Sequence, residues 1–257
     1  MRREQLMFLG LTPLVSGLPS RIRSMVQSAD CHRQVRSFVR RQGRLTAAQQ
    51  RAIETLWPRY GLQADGHPLD LDEVFGRSAP RIMEIGFGMG DALAEMALRY
   101  PENDYLGIEV HRPGVGRLLQ RLADQGSDNV RVLIADAGLV LRDRIVDGCL
   151  DAALVFFPDP WPKKRHHKRR LIQPGFVELL ASKLRPGGRL HLATDWRDYA
   201  SHMMRVLGDA VAFENTCGVD CFSPRPDYRP VTKFERRGHR LGHSIWDLVF
   251  ERRPLRV

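Results

Sequence analysis

The 257-residue sequence predicts an α/β fold built on a doubly wound, mostly parallel β-sheet. From residue 81 onward, short apolar stretches alternate with helical stretches of about ten residues, and this alternation indicates βαβ units. The first apolar stretch leads into a glycine-rich turn, as in sheets whose ligands bind beyond the carboxyl ends of the strands. We predict seven strands and expect the last one to be antiparallel. The predicted strands cover residues 81–86, 104–110, 130–135, 150–157, 189–193, 211–216 and 244–251.

Helices are predicted between these strands, and one more precedes them. Those between the strands cover residues 91–99, 116–124, 176–184 and 196–207. In the preceding helix, Thr46 and Gln49 have the spacing of a capping box, in which the two side chains satisfy backbone N–H groups at the helix start. We expect Pro58 and Gly61 to end this helix, and the Pro-Gly-Gly at 186–188 to close the helix at 176–184.

The charge of the chain favours a polyanionic partner. Forty Lys and Arg against thirty Asp and Glu give a formal net charge of +10, and neutralising phosphates releases condensed counterions. A protein that is basic and merely soluble is the equal alternative at this point. The four cysteines are too few and too scattered for a disulfide framework, so we expect a reduced, cytoplasmic protein. No apolar stretch reaches the roughly 18 residues that a membrane span needs.

We divide the chain into three parts, at residues 1–30, 31–75 and 76–257. The first is expected to be a poorly ordered extension, or the product of a start codon assigned too early, with Met25 as the alternative start. The second carries five arginines between Arg33 and Arg44 and then the capping-box helix. The third holds the predicted sheet and is therefore where the chemistry should lie.

The turn after the first strand carries three glycines and a carboxylate. Gly86, Gly88 and Gly90 permit a tight turn and a close approach of the backbone to a ligand. Their G-x-G-x-G spacing differs from the dinucleotide fingerprint, and Glu84 inside the strand would repel a pyrophosphate. The same carboxylate suits a cofactor with a cationic amino acid end and a sulfonium. The turn therefore favours S-adenosylmethionine over NAD.

Acidic residues also follow the second and third strands. Glu109 could accept both ribose hydroxyl hydrogens of an adenosine cofactor, and Asp136 could reach the adenine amino group. Each signal is weak alone, because an acid after a strand is often only a helix cap. Their order and spacing together indicate a nucleoside cofactor.

The segment after the fourth strand combines prolines, an acid, an aromatic ring and positive charge. Prolines at 158, 160 and 162 fix the backbone around Asp159, and Trp161 offers a face for stacking. A run of charge is usually only a solvated face, but basic groups beside a stacking ring are typical of proteins that hold an unstacked nucleotide. We therefore predict nucleic-acid contact here.

Five motifs, in this order, resemble those of the bacterial tRNA (guanine-N7)-methyltransferase family. They are Glu-Ile-Gly-Phe-Gly-x-Gly at 84–90, Gly-Ile-Glu-Val-His at 107–111, Phe-Pro-Asp-Pro-Trp-Pro-Lys at 157–163, Ala-Thr-Asp-Trp at 193–196 and Thr-Lys-Phe-Glu at 232–235. The resemblance runs from about Arg36 to Arg252. It implies a Rossmann-like fold and an enzyme that methylates guanine 46 in the variable loop of tRNA, with S-adenosylmethionine as the methyl donor.

Carried over to this chain, the resemblance implies that Glu84, Glu109, Asp136 and Asp159 line the cofactor site, with Asp159 as the catalytic acid. The substrate-holding residues that it implies are Lys163, Asp195, Thr232, Lys233, Phe234 and Glu235. The RNA contacts that it implies are Arg165, His166, His167, Lys168, Arg169 and Arg170. Trp161 and Phe234 are candidate stacking partners, with ordinary packing as the alternative.

Guanine N7 is a lone pair without a proton, so methyl transfer to it needs in-line placement and stabilisation of the growing positive charge. We expect a buried carboxylate at Asp159 to serve that need. Asp159, Asp195 or Glu235 could accept from the N1–H and N2 edge of guanine. We expect no metal, and a monomer or homodimer. The rival interpretations are a small-molecule or protein methyltransferase, a non-catalytic RNA-binding protein and, last, an NAD-dependent oxidoreductase.

Overall fold

The computed structural model describes residues 43–232, residue 235 and residues 244–254. The predictions for residues 1–30 and for the arginines before Gly43 lie outside this range. So do those for Lys233 and Phe234.

Seven strands form one sheet in the order β3-β2-β1-β4-β5-β7-β6. Neighbours from β3 to β5 pair in parallel, and β7 runs antiparallel to both β5 and β6. The strands are β1 (Arg81–Ile85), β2 (Asp104–Ile108), β3 (Val130–Leu133), β4 (Leu150–Phe156), β5 (Leu184–Thr194), β6 (Phe213–Asn215) and β7 (Trp246–Arg252). The predicted mostly parallel, seven-stranded sheet with an antiparallel last strand is confirmed.

Helices cover both faces of the sheet, as the alternation of strands and helices predicts. Within residues 43–232 they are α1 (Ala47–Tyr60), α2 (Leu71–Phe75), α3 (Asp91–Arg99), α4 (Arg112–Gln125), α5 (Ala137–Asp143), α6 (Pro174–Lys183) and α7 (Arg197–Gly208), with a 3₁₀ helix at Lys164–Arg169. One buried apolar cluster joins α1, α3 and α4 to one face, and a second joins α5, α6 and α7 to the other. Alternate strand residues point to opposite faces and so supply both clusters.

The capping box of α1 forms as predicted. Thr46 Oγ1 accepts from the Gln49 N–H at 3.2 Å, and Gln49 Oε1 accepts from the Thr46 N–H at 3.0 Å. The helix nevertheless continues past Pro58 to Tyr60, and Gly61 caps it. A proline this close to the end removes one hydrogen bond only, and the fully buried Tyr60 side chain holds the last turn in place.

Other boundaries differ where local signals compete with pairing. The Pro-Gly-Gly at 186–188 does not lie outside the sheet but within β5, which begins at Leu184 and changes register against β4. The helices α2 and α5 and the 3₁₀ helix were not predicted, because short helices carry little apolar periodicity. These differences leave the carboxyl ends of β1, β2, β4 and β5 at one edge, where a ligand is expected.

Candidate active site

The glycine turn between β1 and α3 is open in front and held from behind. Gly86, Gly88 and Gly90 have φ angles of 74°, 58° and 74°, a region that disfavours other residues. A Cβ on Gly86 or Gly88 would meet no atom within 4 Å. From behind, Gly114 of α4 approaches so closely that a Cβ there would lie 1.8 Å from the Gly88 carbonyl oxygen. The turn is therefore a fixed backbone cradle with free space over it.

The Glu109 carboxylate organises this cradle. Its Oε2 accepts from the Gly88 N–H at 2.8 Å, and its Oε1 accepts from the N–H groups of Val110 and His111 at 2.6 and 2.8 Å. A carboxylate has about four acceptor positions, so about one is left for a ligand hydroxyl. The predicted ribose contact therefore shares Glu109 with a structural task that the sequence did not reveal.

Glu84 is buried beside the turn without a full set of partners. Its side chain is 3% exposed, and its Oε2 has no hydrogen-bond partner among the described residues. Burial, together with the nearby Glu109 charge, raises the pKa of Glu84 to about 8. An orphaned buried acceptor of this kind fits a ligand that brings a hydrogen-bonding cation. The residues present are thus compatible with the cationic amino acid end of S-adenosylmethionine.

Asp136 caps α5. Its Oδ1 accepts from the N–H groups of Gly138 and Leu139 at 2.8 and 3.2 Å. This is the structural alternative that applies to any acid after a strand. The contact between Asp136 and an adenine amino group stays a prediction.

The loop that follows β4 is strained at both ends of its Pro-Asp-Pro centre. Phe157 and Trp161 have φ angles of 53° and 45°, although neither is a glycine, and such strain is concentrated at functional sites. The Phe157 N–H donates to the Ala193 carbonyl at 2.8 Å, which ties the loop to the end of β5. Asp159 lies exposed at the top of the loop. The expectation that its carboxylate is buried is wrong for the ligand-free chain, because the loop extends beyond the sheet edge and leaves this side chain in contact with water.

The 3₁₀ helix packs against Trp161 and displays positive charge. The His166 ring lies edge-on to the Trp161 ring at 5.7 Å, and the Arg169 guanidinium lies 5.0 Å from the Trp161 ring centre. The exposed cationic side chains are Lys163, Lys164, Arg165, Lys168 and Arg169. Because Trp161 packs against the chain's own residues, the alternative to base stacking has direct support for this ring.

Arg170 does not belong to this charged surface. It is 3% exposed, and its Nε donates to the Pro160 carbonyl at 3.0 Å. Its guanidinium also pairs with the Asp198 carboxylate and lies 4.9 Å from the Tyr199 ring centre. Arg170 therefore joins the loop to α7, and we remove it from the predicted RNA contacts.

Thr232 and Glu235 form a reciprocal pair rather than two free ligands. The Glu235 N–H donates to Thr232 Oγ1 at 3.1 Å, and the Thr232 N–H donates to Glu235 Oε2 at 3.4 Å. The Glu235 carboxylate is 2% exposed and accepts from Arg229 at 2.6 and 3.0 Å. It is therefore not placed to read the guanine edge, and this expectation is corrected. Asp195, at the end of β5, is exposed.

Sequence reasoning missed four residues around Glu235. Arg229, Asp247, His191 and Tyr228 form a continuous set of hydrogen bonds with it. The available signal was a polar or charged residue inside a predicted apolar strand, as at His191 and Asp247. An Asp is almost never fully buried unless it is paired.

The described part of the chain has no helix long and apolar enough to cross a membrane. No group of three or more metal-ligating side chains occurs in the same residues.

Comparison with known proteins identifies the family. A family model with the description "Putative methyltransferase" matches residues 78–248. The tRNA (guanine-N(7)-)-methyltransferase of Alkalilimnicola ehrlichii is 62% identical over 223 residues, which are 86% of this chain and 94% of that protein. Proteins with the same name from Hydrogenovibrio crunogenus and Pseudomonas aeruginosa are 58% and 56% identical over 220 residues, 86% of this chain and 92% and 90% of theirs. The chain belongs to the tRNA (guanine-N(7)-)-methyltransferase family.

Solved structures agree with the family on the fold. The 16S rRNA methyltransferase KamB superposes with a TM-score of 0.54 at 16% identity, covering 74% of this chain and 96% of its own. A 16S rRNA (adenine(1408)-N(1))-methyltransferase from Catenulisporales acidiphilia gives 0.50 at 16% identity, covering 74% and 94%. At this level of identity the likeness concerns the Rossmann-like architecture alone. It agrees with the strand order described above.

Proposed function

We propose that this protein transfers a methyl group from S-adenosylmethionine to N7 of guanine 46 in the variable loop of tRNA. One observation carries the proposal. Strand β1 ends with the buried carboxylate of Glu84 beside the open glycine turn, and its neighbour β4 ends in the strained loop with exposed cations. A small cationic cofactor and a polyanionic substrate would therefore meet at one edge of the sheet. The names of the relatives support the same reaction.

The cofactor-binding residues are proposed from the first half of the edge. When bound, S-adenosylmethionine supplies an activated methyl group. Glu84 would accept from the cationic amino acid end, and the backbone of Gly86, Gly88 and Gly90 would line its path. The remaining acceptor position of Glu109 would take a ribose hydroxyl, and Asp136 would face the adenine.

For the transfer itself, the chain has to orient guanine and stabilise charge. The N7 lone pair would bond to the methyl carbon as the methyl–sulfur bond breaks, with S-adenosylhomocysteine as the leaving group. The positive charge would pass from sulfur to the guanine ring, so no general base is required. Asp159 is held by flanking prolines at the sheet edge and would stabilise that charge once substrate covers it. With Glu235 engaged by Arg229, the acceptors proposed for the guanine N1–H and N2 groups are Asp159 and Asp195.

The exposed cations of the 3₁₀ helix would hold the tRNA backbone. Four basic side chains within six residues are exposed there, at Lys164, Arg165, Lys168 and Arg169. Together with the net charge of +10 they would attract tRNA and hold it while the base leaves its stack. Lys163, His166 and His167 complete the proposed contacts from this segment. We further propose a cytoplasmic protein that works as a monomer or homodimer.

The test is methyl transfer with labelled S-adenosylmethionine and unmodified tRNA. Mass spectrometry would identify the methylated nucleoside, and Asp159→Ala would serve as the control. We expect 7-methylguanosine with the unmodified sequence and loss of the label with the variant. Label on another base, or on small molecules in preference to tRNA, would contradict the proposal.

A further inference from the structure

A buried polar network lies beside the start of the Asp159 loop. The Tyr228 hydroxyl lies 2.9 Å from His191 Nδ1, and His191 Nε2 lies 2.8 Å from Asp247 Oδ1. Because the carboxylate only accepts, His191 Nε2 carries the proton and Nδ1 accepts from Tyr228. Arg229 then donates to both oxygens of Asp247 at 2.6 and 2.9 Å and to both oxygens of Glu235 at 2.6 and 3.0 Å. A single guanidinium thus holds two carboxylates.

The network is shielded from water. Arg229 and His191 are fully buried, and Asp247 and Glu235 are each 2% exposed. Burial lowers the pKa of His191, which keeps its ring neutral. Burial opposes the ionisation of Asp247, but hydrogen bonds from His191 and Arg229 overcome it and lower the pKa of Asp247. The charges of Arg229, Asp247 and Glu235 are therefore held in fixed positions.

The network contacts both the start of the Asp159 loop and the Thr232–Glu235 pair. The Arg229 guanidinium lies 5.9 Å from the Phe156 ring centre and 5.8 Å from the Phe157 ring centre. Phe157 is the strained residue at which the Asp159 loop leaves β4. Arg229 also holds Glu235, which is paired with Thr232.

Stability alone is a poor explanation for this arrangement. Replacing a buried ion pair with apolar side chains of the same volume often leaves a protein equally stable or more stable. Fixed charges are useful where two separate elements must keep one geometry. Arg229 contacts three chain segments, namely β7, the start of the Asp159 loop and the Thr232–Glu235 pair.

We propose that Arg229 is a positioning residue for the methyl-transfer reaction. Its guanidinium fixes the Thr232–Glu235 pair relative to the Phe157 end of the Asp159 loop, and Asp247 orients the guanidinium. The inference rests on the proposed function, in which Asp159 stabilises the charge on guanine, and on the family resemblance, which assigns Thr232 and Glu235 to the substrate. It also places Arg229 outside the cofactor-binding residues, which is what makes it testable.

The test compares Arg229→Met and Arg229→Lys with the unmodified full-length chain. The measurements are kcat and KM with tRNA, the Kd of S-adenosylhomocysteine and the thermal midpoint. We expect kcat to fall about 100-fold for Arg229→Met, the size of effect that a 1 Å misplacement produces. The Kd of S-adenosylhomocysteine should stay within about threefold, since the glycine turn is held by other residues. Arg229→Lys keeps one charged donor and should recover part of kcat.

A control separates positioning from general destabilisation. Leu207→Ala opens a cavity in the buried cluster on the other face of the sheet, and it should lower the thermal midpoint without a matching fall in kcat. If Arg229→Met fails to fold, Glu235→Gln takes its place, because it keeps the shape and removes one charge. Its kcat should fall at least tenfold, with the Kd of S-adenosylhomocysteine unchanged.

Two results would overturn the inference. One is a kcat for the Arg229 or Glu235 variant no lower than that of a Leu207 variant with an equal thermal midpoint. The other is a loss of S-adenosylhomocysteine affinity that parallels the loss of kcat. Both require an unmodified chain that methylates tRNA. If it does not, the proposed function itself fails, and the inference is withdrawn with it.

Discussion

The sheet edge that carries the proposed site has a cofactor half, at the ends of β1, β2 and β3, and a substrate half, at the ends of β4 and β5. The two halves hold their functional groups in different ways. In the cofactor half, backbone atoms hold the acidic side chains: three N–H groups donate to Glu109, and two more donate to Asp136. In the substrate half, other side chains hold the functional groups, since Arg170 connects the loop to α7 and Arg229 connects Glu235 to β7. The cofactor half buries its key acid Glu84, whereas the substrate half exposes Asp159.

This difference corresponds to the size of the ligands. A small cofactor can be surrounded by backbone atoms at fixed positions, and such a site needs little rearrangement. A folded tRNA cannot be enclosed, so its charge must be met by side chains that stay in water until it arrives. The substrate half instead holds the segments around these side chains through ion pairs of the buried Arg170 and Arg229.

The largest effect is expected from Gly114→Ala. The added Cβ would lie 1.8 Å from the Gly88 carbonyl oxygen and must displace the glycine turn. We expect S-adenosylhomocysteine affinity, measured by calorimetry, to fall on the order of 100-fold. Gly175→Ala is the matched control, because a Cβ there meets no atom within 4 Å. Unchanged affinity in the Gly114 variant would show that the turn is not held rigidly from behind.

The second largest effect is expected when charge is removed from the 3₁₀ helix. A triple variant with Gln at Arg165, Lys168 and Arg169 should reduce the log–log salt slope of tRNA affinity by about 0.7 to 0.9 for each phosphate-binding side chain that is neutralised. The control triple variant replaces the exposed Arg185, Arg205 and Arg253 with Gln. S-Adenosylhomocysteine affinity should be the same in both. An equal change of slope in the two triple variants would mean that only net charge matters.

The pH dependence of Glu84 gives an intermediate effect. Its pKa is raised from 4.5 to about 8, so the folded ligand-free chain binds a proton that the unfolded chain has released. Stability from this group is therefore highest below pH 4.5 and falls as pH rises toward 8, on the order of a few kcal/mol. Glu84→Gln should flatten that fall in thermal unfolding.

The raised pKa of Glu84 also predicts that a proton is released when a cationic ligand binds. Near pH 6.5, S-adenosylhomocysteine should release close to one proton as Glu84 ionises beside its amino group. Calorimetry in two buffers of different ionisation enthalpy measures this number. The absence of release, or an equal release by Glu84→Gln, would show that Glu84 does not face the cofactor.

The smallest effect distinguishes two neighbouring arginines. Arg170→Gln should lower the free energy of unfolding by about 1–3 kcal/mol, because it removes the hydrogen bonds of a buried guanidinium, and should leave the salt slope unchanged. Arg169→Gln should leave the free energy of unfolding unchanged and should reduce the salt slope. Urea unfolding and tRNA titration at several salt concentrations measure both. If Arg170→Gln alone flattened the slope, its removal from the RNA contacts would be wrong.

The sequence was sufficient for the fold because each strand and the longer helices carry their own periodic pattern. It also located the glycine turn, since three closely spaced glycines after an apolar strand have few other uses. Element ends were less certain where tertiary packing decided them, as at Tyr60 and Leu184.

The sequence could not show which members of a charged motif are buried. Arg169 and Arg170 are adjacent and chemically identical, yet one is exposed and the other pairs with Asp198 on α7. Glu235 likewise stands in the tetrad that the resemblance assigned to substrate, and its partner Arg229 was not singled out. Such assignments depend on contacts between distant segments, which local patterns do not contain.

The most direct test of the account uses a tRNA with 7-deazaguanosine at position 46. This base keeps the N1–H and N2 edge of guanine but lacks the N7 lone pair. We predict that the protein binds it as tightly as the unmodified tRNA and transfers no methyl group to it from S-adenosylmethionine. Continued incorporation of label would contradict transfer to N7 of that guanine.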